Sequence, residues 1–195
     1  AIVEDDYDSA FRFGGRPIEP LQTLDTVGRV VYVGSVSKTM LATLRLGFVV
    51  TPPSLRQAVQ AAKYVTDWHT SLPAQAALAC FLDQGWYARH VRKMRAVYRV
   101  RHEQIVRALS HDFADHLRII PSAAGLHVSA FARTASPGEV TAVVRRAFAA
   151  GVAVLPLSTF AVTEPPHAGL VLGYGAIPTE RIDEGLCRLR ACFGR

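Results

Sequence analysis

Residues 30–39 read Val-Val-Tyr-Val-Gly-Ser-Val-Ser-Lys-Thr, an apolar run followed by small hydroxyl side chains and one lysine. The four β-forming residues from Val30 to Val33 predict a strand that ends at Gly34 and is buried on both faces. Continuous apolar runs at residues 1–3 and 46–50 predict two further strands. Ligands of an open α/β sheet bind beyond the carboxyl ends of its parallel strands. If the three strands lie side by side in a parallel sheet, we expect a site at that edge.

Polar side chains of several chemical kinds flank these strands at the same predicted edge. An acid and a phenol follow the first strand, and two hydroxyls and an amine follow the second. A guanidinium lies in the loop before the third strand, and this loop is expected to fold back to the edge. The candidate site residues are Asp5, Tyr7, Ser35, Ser37, Lys38 and Arg45.

This set of side chains is what pyridoxal phosphate needs from a protein. A carboxylate beside the ring nitrogen keeps the pyridinium protonated, so that the ring withdraws electrons. A tyrosine hydroxyl hydrogen-bonds the phenolic oxygen, and a lysine forms the Schiff base and then shuttles a proton. Hydroxyls and the fork of an arginine hold the phosphate. Pyridoxal 5'-phosphate is therefore the expected cofactor.

Five motifs occur in a characteristic order. They are residues 4–9 (Glu-Asp-Asp-Tyr-Asp-Ser), 34–39 (Gly-Ser-Val-Ser-Lys-Thr), 44–47 (Leu-Arg-Leu-Gly), 85–94 (Gly-Trp-Tyr-Ala-Arg-His-Val-Arg-Lys-Met) and 124–127 (Ala-Gly-Leu-His). Together they resemble the fold-type I aminotransferases, and more narrowly the aminotransferase-like domain of MocR/GabR-type bacterial transcription regulators of the GntR family. Each motif alone is weak, but their order and spacing are specific, and the resemblance covers nearly the whole chain.

The resemblance implies a role for each candidate residue. Lys38 corresponds to the Schiff-base lysine, Asp5 to the partner of the ring nitrogen, and Tyr7 to the partner of the phenolic oxygen. The positions that correspond to phosphate binding are Ser35, Ser37 and Arg45.

Asp5 and Asp6 compete for the ring nitrogen, because alternation along a strand sends neighbouring side chains to opposite faces. Only one of them can serve. The separation from Lys38 that is typical of the family favours Asp5. Asp6 is then expected to be a structural residue, either a cap or a salt-bridge partner.

Two stretches depart from the family pattern. The usual Ala-Pro-Gly before Leu-Arg-Leu-Gly is Leu41-Ala42-Thr43 here, so the loop that carries Arg45 is expected to differ. Residues 165–169, Pro-Pro-His-Ala-Gly, contain no arginine. In the gamma-aminobutyrate-sensing member, an arginine in that neighbourhood grips the substrate carboxylate. That role is therefore not carried over to this chain.

The chain is expected to contain two parts of a fold-type I PLP-dependent transferase. Residues 1–95 are interpreted as the C-terminal portion of the PLP-binding large domain, an α/β segment with a mainly parallel sheet. Residues 96–195 are interpreted as a small α+β C-terminal domain, since short strands mix with two helices there. Predicted helices cover residues 54–66 (capped by Ser54), 73–82, 86–109, 137–150 and 179–192, and further strands cover 117–120, 125–132, 152–155 and 170–174.

The beginning of the sequence suggests a piece of a longer protein. The chain has no initiator Met, and its first residues, Ala-Ile-Val, are typical of the middle of a buried strand. By the resemblance, the glycine-rich phosphate loop, the ring-stacking aromatic and an N-terminal winged helix-turn-helix would all precede residue 1.

Composition excludes several classes of protein. The 195 residues include 22 Lys+Arg and 16 Asp+Glu, for a formal charge of +6, and 50% are hydrophobic, which excludes a disordered tail. Three sparse cysteines without CxxC spacing exclude a disulfide scaffold and favour a reducing compartment. No apolar run approaches the ~20 residues of a membrane span, and no signal-peptide pattern is present. A cytoplasmic protein is expected, without metal-binding histidine motifs.

The predicted helix from Trp86 to Arg107 is strongly basic, with Glu103 as its one acid. Its charge is compatible with a nucleic-acid interface. However, the basic residues are spread around the helix, and no groove-reading motif accompanies them. We therefore favour a solvated helix or a contact with the preceding segment of the protein.

Two functions remain open at this point, beside the possibility that this fragment binds no cofactor. The first is a regulatory effector domain that senses a small amine or amino acid through a Schiff base at Lys38. It would pass a conformational change to an attached DNA-binding domain, and DNA would be bound only through the winged helix-turn-helix missing from this chain. The second is a working PLP-dependent aminotransferase, for which the same side chains serve. The resemblance implies a homodimer in either case.

Overall fold

The computed structural model describes residues 1–6, 9–14, 18–163 and 165–194. Tyr7, one of the candidate cofactor residues, lies outside the described residues. By its internal contacts the chain divides into two compact units, Ala1–Met94 and Arg95–Arg195, and the division falls within one helix, Trp86–His111. The assignment of these units to a cofactor-binding large domain and a small domain remains a prediction.

The described residues of the first unit contain a three-stranded sheet with the strand order β1–β2–β3. Helices precede and follow its last two strands, and short 3₁₀ turns lie between them. The elements are β1 (Ile2–Asp6), α1 (Leu21–Leu24), β2 (Val30–Ser35), β3 (Gly47–Val50), α2 (Arg56–Asp67), α3 (Leu72–Asp83) and the first part of α4 (Trp86–His111).

Two carboxylates fix where the early elements begin. Glu4 on β1 accepts the N–H groups of Leu21 and Gln22 at 2.8 and 3.0 Å, which satisfies the first turn of α1. Asp25 accepts four N–H groups, those of residues 27–30, at 2.5 to 3.0 Å. These backbone bonds, that of Val30 most of all, hold the pKa of Asp25 below its ordinary value. The Asp25 side chain thus sets the turn from which β2 starts.

The strand directions follow the prediction for the first pair only. β1 and β2 are parallel, but β3 runs antiparallel to β2. The expectation of three parallel strands was therefore wrong for the third. A parallel connection needs a crossover of about a dozen residues or more, usually with a helix, and the link 36–46 contains only a tight turn at residues 36–40 and a 3₁₀ turn at Ala42–Leu44.

The sheet is less buried than its apolar runs predict. On β2, Val30 and Gly34 are buried, whereas residues 31–33 are half-buried. β1 and β3 are largely exposed, with Val3 at 70% and Phe48 at 50%. The predictions of a strand buried on both faces at 30–33 and of a buried strand at 1–3 were wrong, because the described residues of this unit do not cover both faces.

Ser54 does not cap α2, contrary to the prediction. It lies inside a 3₁₀ turn, Pro53–Leu55, and α2 begins only at Arg56. Leu55 occupies the cap position and makes no side-chain hydrogen bond to the helix. The reason is the proline at the start of the turn, whose fixed φ begins the helical path one turn earlier.

The described part of the second unit is an antiparallel sheet with the order β4–β5–β7–β6, accompanied by helices. Its core contains apolar side chains from every layer. The elements are β4 (Leu117–Ile120), β5 (His127–Ala132), α5 (Pro137–Ala149), β6 (Leu155–Pro156), β7 (Gly169–Gly173) and α6 (Ile182–Arg190). Fully buried residues include Leu109, Phe113, Leu117, Val128, Ala130, Ala147, Leu170, Tyr174 and Leu189.

Three predicted elements of this unit are shorter than expected. The strand predicted at 152–155 pairs with β7 only at Leu155 and Pro156, because the Val152 N–H instead donates to the Ala147 carbonyl at 2.8 Å and closes α5. β5 starts at His127, after a turn in which Gly125 has a φ of 93°. The last helix begins with a 3₁₀ turn, Thr179–Arg181. No helix in the described ranges combines the length and hydropathy needed to cross a membrane.

Candidate cofactor site

The register of β1 and β2 places the two adjacent carboxylates on different faces of the sheet. Asp5 is paired with Val33, and Asp6 is paired with Gly34. Because side chains alternate along each strand, Asp5 shares its face with Ser35, the last residue of β2. This face and the carboxyl ends of the two parallel strands define the candidate site.

Asp6 is occupied by structural hydrogen bonds on the other face. It accepts the hydroxyl hydrogen of Tyr32 at 2.7 Å. It also accepts the backbone N–H of Ser9 at 3.1 Å and the Ser9 hydroxyl at 2.6 Å, which holds the 3₁₀ turn Ser9–Phe11 against the end of β1. Asp6 therefore ties the strand ends together, while Asp5 is exposed beside it.

The phenol of Tyr32 is chemically perturbed by this contact. Burial raises the pKa of Tyr32 to about 12, and the hydrogen bond to Asp6 acts in the same direction. The negative charges of Asp6 and Glu4, and that of Tyr87 as a phenolate, raise it further. Tyr32 is thus a neutral hydrogen-bond donor at ordinary pH, and its place in the apolar run predicted no role beyond that of a β-forming residue.

Lys38 lies in a tight turn directly after β2. The Met40 N–H donates to the Val36 carbonyl at 2.8 Å, and the Ser37 N–H donates to the Ser35 hydroxyl at 3.1 Å. Val36 and Thr39 are buried, whereas Lys38 between them is exposed. The turn therefore fixes the backbone and leaves the lysine amine outside the core.

Arg45 reaches the same edge because β3 is antiparallel to β2. Ser35 is paired with Gly47, and the Val36 N–H extends the ladder to the Leu46 carbonyl at 3.3 Å. Arg45, one residue before Leu46, therefore stands next to the Lys38 turn. The antiparallel direction of β3, which was predicted wrongly, is the feature that brings the arginine to this edge.

The loop before β3 has an unusual backbone. Arg45 has a φ of 52° and a ψ of 37°, the left-handed region, and its N–H donates to the Ala42 carbonyl at 3.3 Å. This conformation costs an L-residue roughly 1–2 kcal/mol. Leu41-Ala42-Thr43, the departure from the family pattern, leads into the 3₁₀ turn Ala42–Leu44 that delivers Arg45.

The three charged candidates are free to contact a ligand. Asp5, Lys38 and Arg45 are exposed, and within the described ranges their side chains take part in no ion pair or hydrogen bond. A carboxylate, an amine and a guanidinium therefore extend from backbone positions at one sheet edge, with no protein partner among the described residues. An anionic group is a suitable partner for the two cations.

The donor set fits pyridoxal phosphate. Lys38 would offer an amine for the aldehyde, Asp5 a carboxylate for the ring nitrogen, and Arg45 with the hydroxyls of Ser35 and Ser37 phosphate ligands. The strand register places the backbones of these five candidate residues at the same edge of the sheet, and the sixth, Tyr7, lies outside the described residues. The individual roles of these residues remain predictions.

One contact at this edge escaped the sequence analysis. The Tyr87 hydroxyl, in the first turn of α4, donates to the hydroxyl of Thr39 at 3.0 Å. The two residues are 48 positions apart, so no local pattern could pair them. The sequence did indicate that both residues matter, because each lies in one of the five motifs. Thr39 directly follows Lys38 in the motif 34–39, and Tyr87 lies in the motif 85–94.

The family of the chain follows from comparison with known proteins. Residues 5–186 match the family described as aminotransferase class I and II. Since this match covers most of the sequence, the chain belongs to the aminotransferase class I and II family. The α-aminoadipate aminotransferase LysN from Thermus thermophilus matches with a TM-score of 0.86 and 28% sequence identity. The match covers 98% of this chain and 49% of LysN, whose structure holds N-(5'-phosphopyridoxyl)-L-leucine. The predicted fold class, part of a fold-type I transferase, is confirmed.

Regulators are prominent among the curated relatives. The probable rhizopine catabolism regulatory protein MocR of Rhizobium meliloti is 41% identical over 192 residues, which are 98% of this chain and 38% of that protein. The uncharacterized HTH-type transcriptional regulator YhdI of Bacillus subtilis is 33% identical, over 98% of this chain and 40% of YhdI. The resemblance to MocR-type regulators is confirmed, and the chain spans about two-fifths of the length of these relatives.

Proposed function

We propose that this chain is the pyridoxal-phosphate-binding, aminotransferase-like effector domain of a MocR-type transcription regulator, and that it senses an amine or amino acid through Lys38. The observation that supports the proposal is the sheet edge shared by the backbone positions of Lys38, Asp5 and Arg45, whose side chains are exposed and without partners among the described residues. Its family membership supplies the cofactor class, and its likeness to MocR supplies the regulatory context.

Pyridoxal phosphate, when bound, supplies an aldehyde that condenses with amines and a ring that withdraws electrons. Lys38 would hold the cofactor through its Nζ, in a condensation that releases one water. An incoming amine would displace Nζ from the cofactor, and Lys38 would then be a free amine able to accept a proton. No oxidant or reductant is needed for this exchange.

The other residues of the edge orient the cofactor around that exchange. Asp5 holds a proton on the ring nitrogen as its counter-charge. Arg45 binds the phosphate with its planar fork, and Ser35 and Ser37 add hydroxyl donors. Covalent exchange at Lys38 with the phosphate still held replaces a protein-bound amine by a free one, which changes the contacts of the Lys38 turn. That change is the signal a regulator needs.

The partners of the whole protein are part of the same proposal. The relatives are named as HTH-type regulators, which supports DNA binding by a segment other than this chain. A small amine or amino acid is the effector, and a homodimer is the assembly we propose. The sparse, unpaired cysteines of the described residues support a cytoplasmic location.

A second candidate function is turnover as an aminotransferase. The TM-score of 0.86 to LysN supports it, because the fold is shared with an enzyme. The two functions differ in one measurable respect. An enzyme converts many equivalents of amino donor and keto acid, whereas a sensor exchanges its amine once and stays loaded.

The proposal is tested on the full-length protein loaded with pyridoxal phosphate. Borohydride reduction and peptide mass mapping are expected to find the cofactor on the Lys38 peptide. The variant Lys38→Ala is expected to lose both the adduct and the visible absorbance band. Lys63→Ala is the matched control, since Lys63 is an exposed lysine on α2 that pairs with Asp67. A band that survives in Lys38→Ala would contradict the proposal.

A further inference from the structure

The position of the Lys38 amine depends on the backbone of its turn. Within the described ranges the Lys38 side chain makes no hydrogen bond or ion pair, so no neighbouring side chain holds it. The Met40 N–H closes the turn on the Val36 carbonyl at 2.8 Å. Contacts that hold the backbone from Val36 to Met40 therefore fix the position from which the Lys38 side chain extends.

Thr39 anchors this turn to the core of the unit. Its side chain is only 6% exposed, although the preceding residue, Lys38, is exposed. Its hydroxyl donates to the Val36 carbonyl at 3.3 Å and accepts the Tyr87 hydroxyl at 3.0 Å. A threonine hydroxyl has one hydrogen to donate and lone pairs to accept, so both bonds are compatible.

Tyr87 links this anchor to a helix. It is half-buried in the first turn of α4, which begins at Trp86, directly after Gly85 with its φ of 69°. Its hydroxyl is close enough to Tyr32 that its charge contributes to the raised pKa of that phenol. Tyr87 thus connects the first turn of α4 to the turn that carries Lys38.

We propose that Tyr87 is a positioning residue for Lys38: its hydrogen bond to Thr39 holds the lysine turn in the geometry that captures pyridoxal phosphate. The inference rests on the proposed function, since it assumes that Lys38 binds the cofactor. Tyr87 acts through Thr39 and does not itself touch the cofactor.

The consequence of losing this bond is specific. Without the Tyr87 hydroxyl, the buried Thr39 hydroxyl keeps only its long bond to Val36, and the turn samples more conformations. Fewer of these place the amine correctly, so apparent affinity falls with the competent fraction. One net hydrogen bond corresponds to a change of roughly two- to tenfold. The fold itself keeps its strand ladder and helix, so global stability changes little.

The experiment measures cofactor binding to full-length protein by the visible band of the Lys38-bound form. Tyr87→Phe is expected to raise the Kd for pyridoxal phosphate by about two- to tenfold, to slow its capture, and to shift the pH midpoint of the band. Thr39→Val is expected to do the same, and Thr39→Ser to restore wild-type behaviour. The double variant is expected to be no worse than the singles, because both remove one bond.

Tyr64→Phe is the matched control, since it removes a phenolic hydroxyl from a side chain of α2 that is 61% exposed. A wild-type Kd and pH midpoint in Tyr87→Phe would overturn the inference, as would equal losses in Tyr64→Phe. Lys38→Ala is measured in parallel, and if it keeps the visible band, the proposed function is contradicted. If Lys38→Ala loses the band but Tyr87→Phe has the wild-type Kd and pH midpoint, only the positioning role is contradicted. Should Tyr87→Phe not fold, the Thr39→Val and Thr39→Ser pair decides.

Discussion

Asp6 accepts the hydroxyl hydrogen of Tyr32 at 2.7 Å, from the strand next to its own. Its neighbour Asp5 lies on the opposite face and makes no side-chain hydrogen bond among the described residues. Two adjacent carboxylates of one acidic motif are thus divided between two tasks by strand alternation alone. Asp6 stabilises the fold, and Asp5 is the carboxylate that we propose as a cofactor ligand.

Alanine substitutions of the two carboxylates are expected to affect different properties, the stability for Asp6 and the cofactor affinity for Asp5. Asp6→Ala removes acceptors from Tyr32 and Ser9 and lowers the free energy of unfolding by about 1–2 kcal/mol. Asp5→Ala leaves stability within roughly 0.5 kcal/mol, as for an exposed site without partners. It weakens pyridoxal phosphate binding by about tenfold or more, the value of one charge-assisted hydrogen bond. Urea unfolding and cofactor titration measure the two effects.

The division of labour would be disproved by the reverse pattern. Stability loss in Asp5→Ala with normal cofactor binding would show that the structural carboxylate is Asp5. Glu19→Gln, an exposed acid outside both clusters, serves as the charge control and is expected to match the wild type in both measurements.

Arg45 offers a way to separate backbone strain from ligand binding. Arg45→Gly and Arg45→Ala both remove the guanidinium, so both are expected to weaken phosphate binding equally. Only glycine tolerates the φ of 52° without strain. Arg45→Gly is therefore expected to be more stable than Arg45→Ala by about 1 kcal/mol.

Urea unfolding and titration with pyridoxal phosphate give the two quantities for each Arg45 variant. Equal stability of the glycine and alanine variants would mean that the left-handed backbone carries no strain. Undiminished cofactor affinity in both would remove Arg45 from the phosphate site.

Much of the site was predictable because strand ends are local features. The apolar run from Val30 and the hydroxyl-rich stretch after it place Lys38 just beyond a strand, and alternation separates Asp5 from Asp6. The separation from Lys38 favoured Asp5 over Asp6, but the bond that occupies Asp6 could not be predicted, since its contact with Tyr32 spans 26 positions. The Tyr87–Thr39 bond is likewise non-local, so periodicity and composition contain no trace of it.

The fold was predictable where a periodic pattern extends over many residues. Prediction failed where the links between elements determine the direction or length of a strand. The long helix from Trp86 was predicted nearly to its ends, because many turns repeat the same pattern. The direction of β3 depends on what the link 36–46 can span, which the apolar pattern of the strand itself does not record. β6 is short because the Val152 N–H donates to the Ala147 carbonyl and is not available to the sheet.

Two glycines of β7 are expected to differ sharply in their tolerance of alanine. A Cβ at Gly169 would overlap the Ala130 carbonyl oxygen and Leu157 Cδ1 and lie 3.0 Å from the Phe131 Cα. Since backbone atoms cannot swing aside, Gly169→Ala is expected to cost about 1–3 kcal/mol. Gly173→Ala meets no atom within 4 Å and is the matched control in the same strand. Equal unfolding free energies for the two variants would contradict the close approach of β5 and β7.

The raised pKa of Tyr32 predicts a specific loss of stability at alkaline pH. In the unfolded chain the phenol ionises near its ordinary pKa of 10.0, whereas in the folded protein it ionises only at about 12. Between these values the folded state holds more protons, so the free energy of unfolding falls as pH rises from about 10 to about 12. Tyr32→Phe lacks this titration, and its curve is expected to be flatter in that window.

Urea unfolding of the wild type and Tyr32→Phe at intervals from about pH 8 to about pH 12 measures the difference between the two curves. Every other titratable group is common to both proteins, so its contribution cancels in that difference. The difference is expected to be constant below about pH 10, where the phenol is protonated in both states. Above it, the wild type is expected to lose the advantage that the neutral phenol gains from burial and from its bond to Asp6. Curves that stay parallel throughout this range would mean that Tyr32 ionises equally in the folded and unfolded states, and hence that Asp6 and the surrounding burial do not hold its proton.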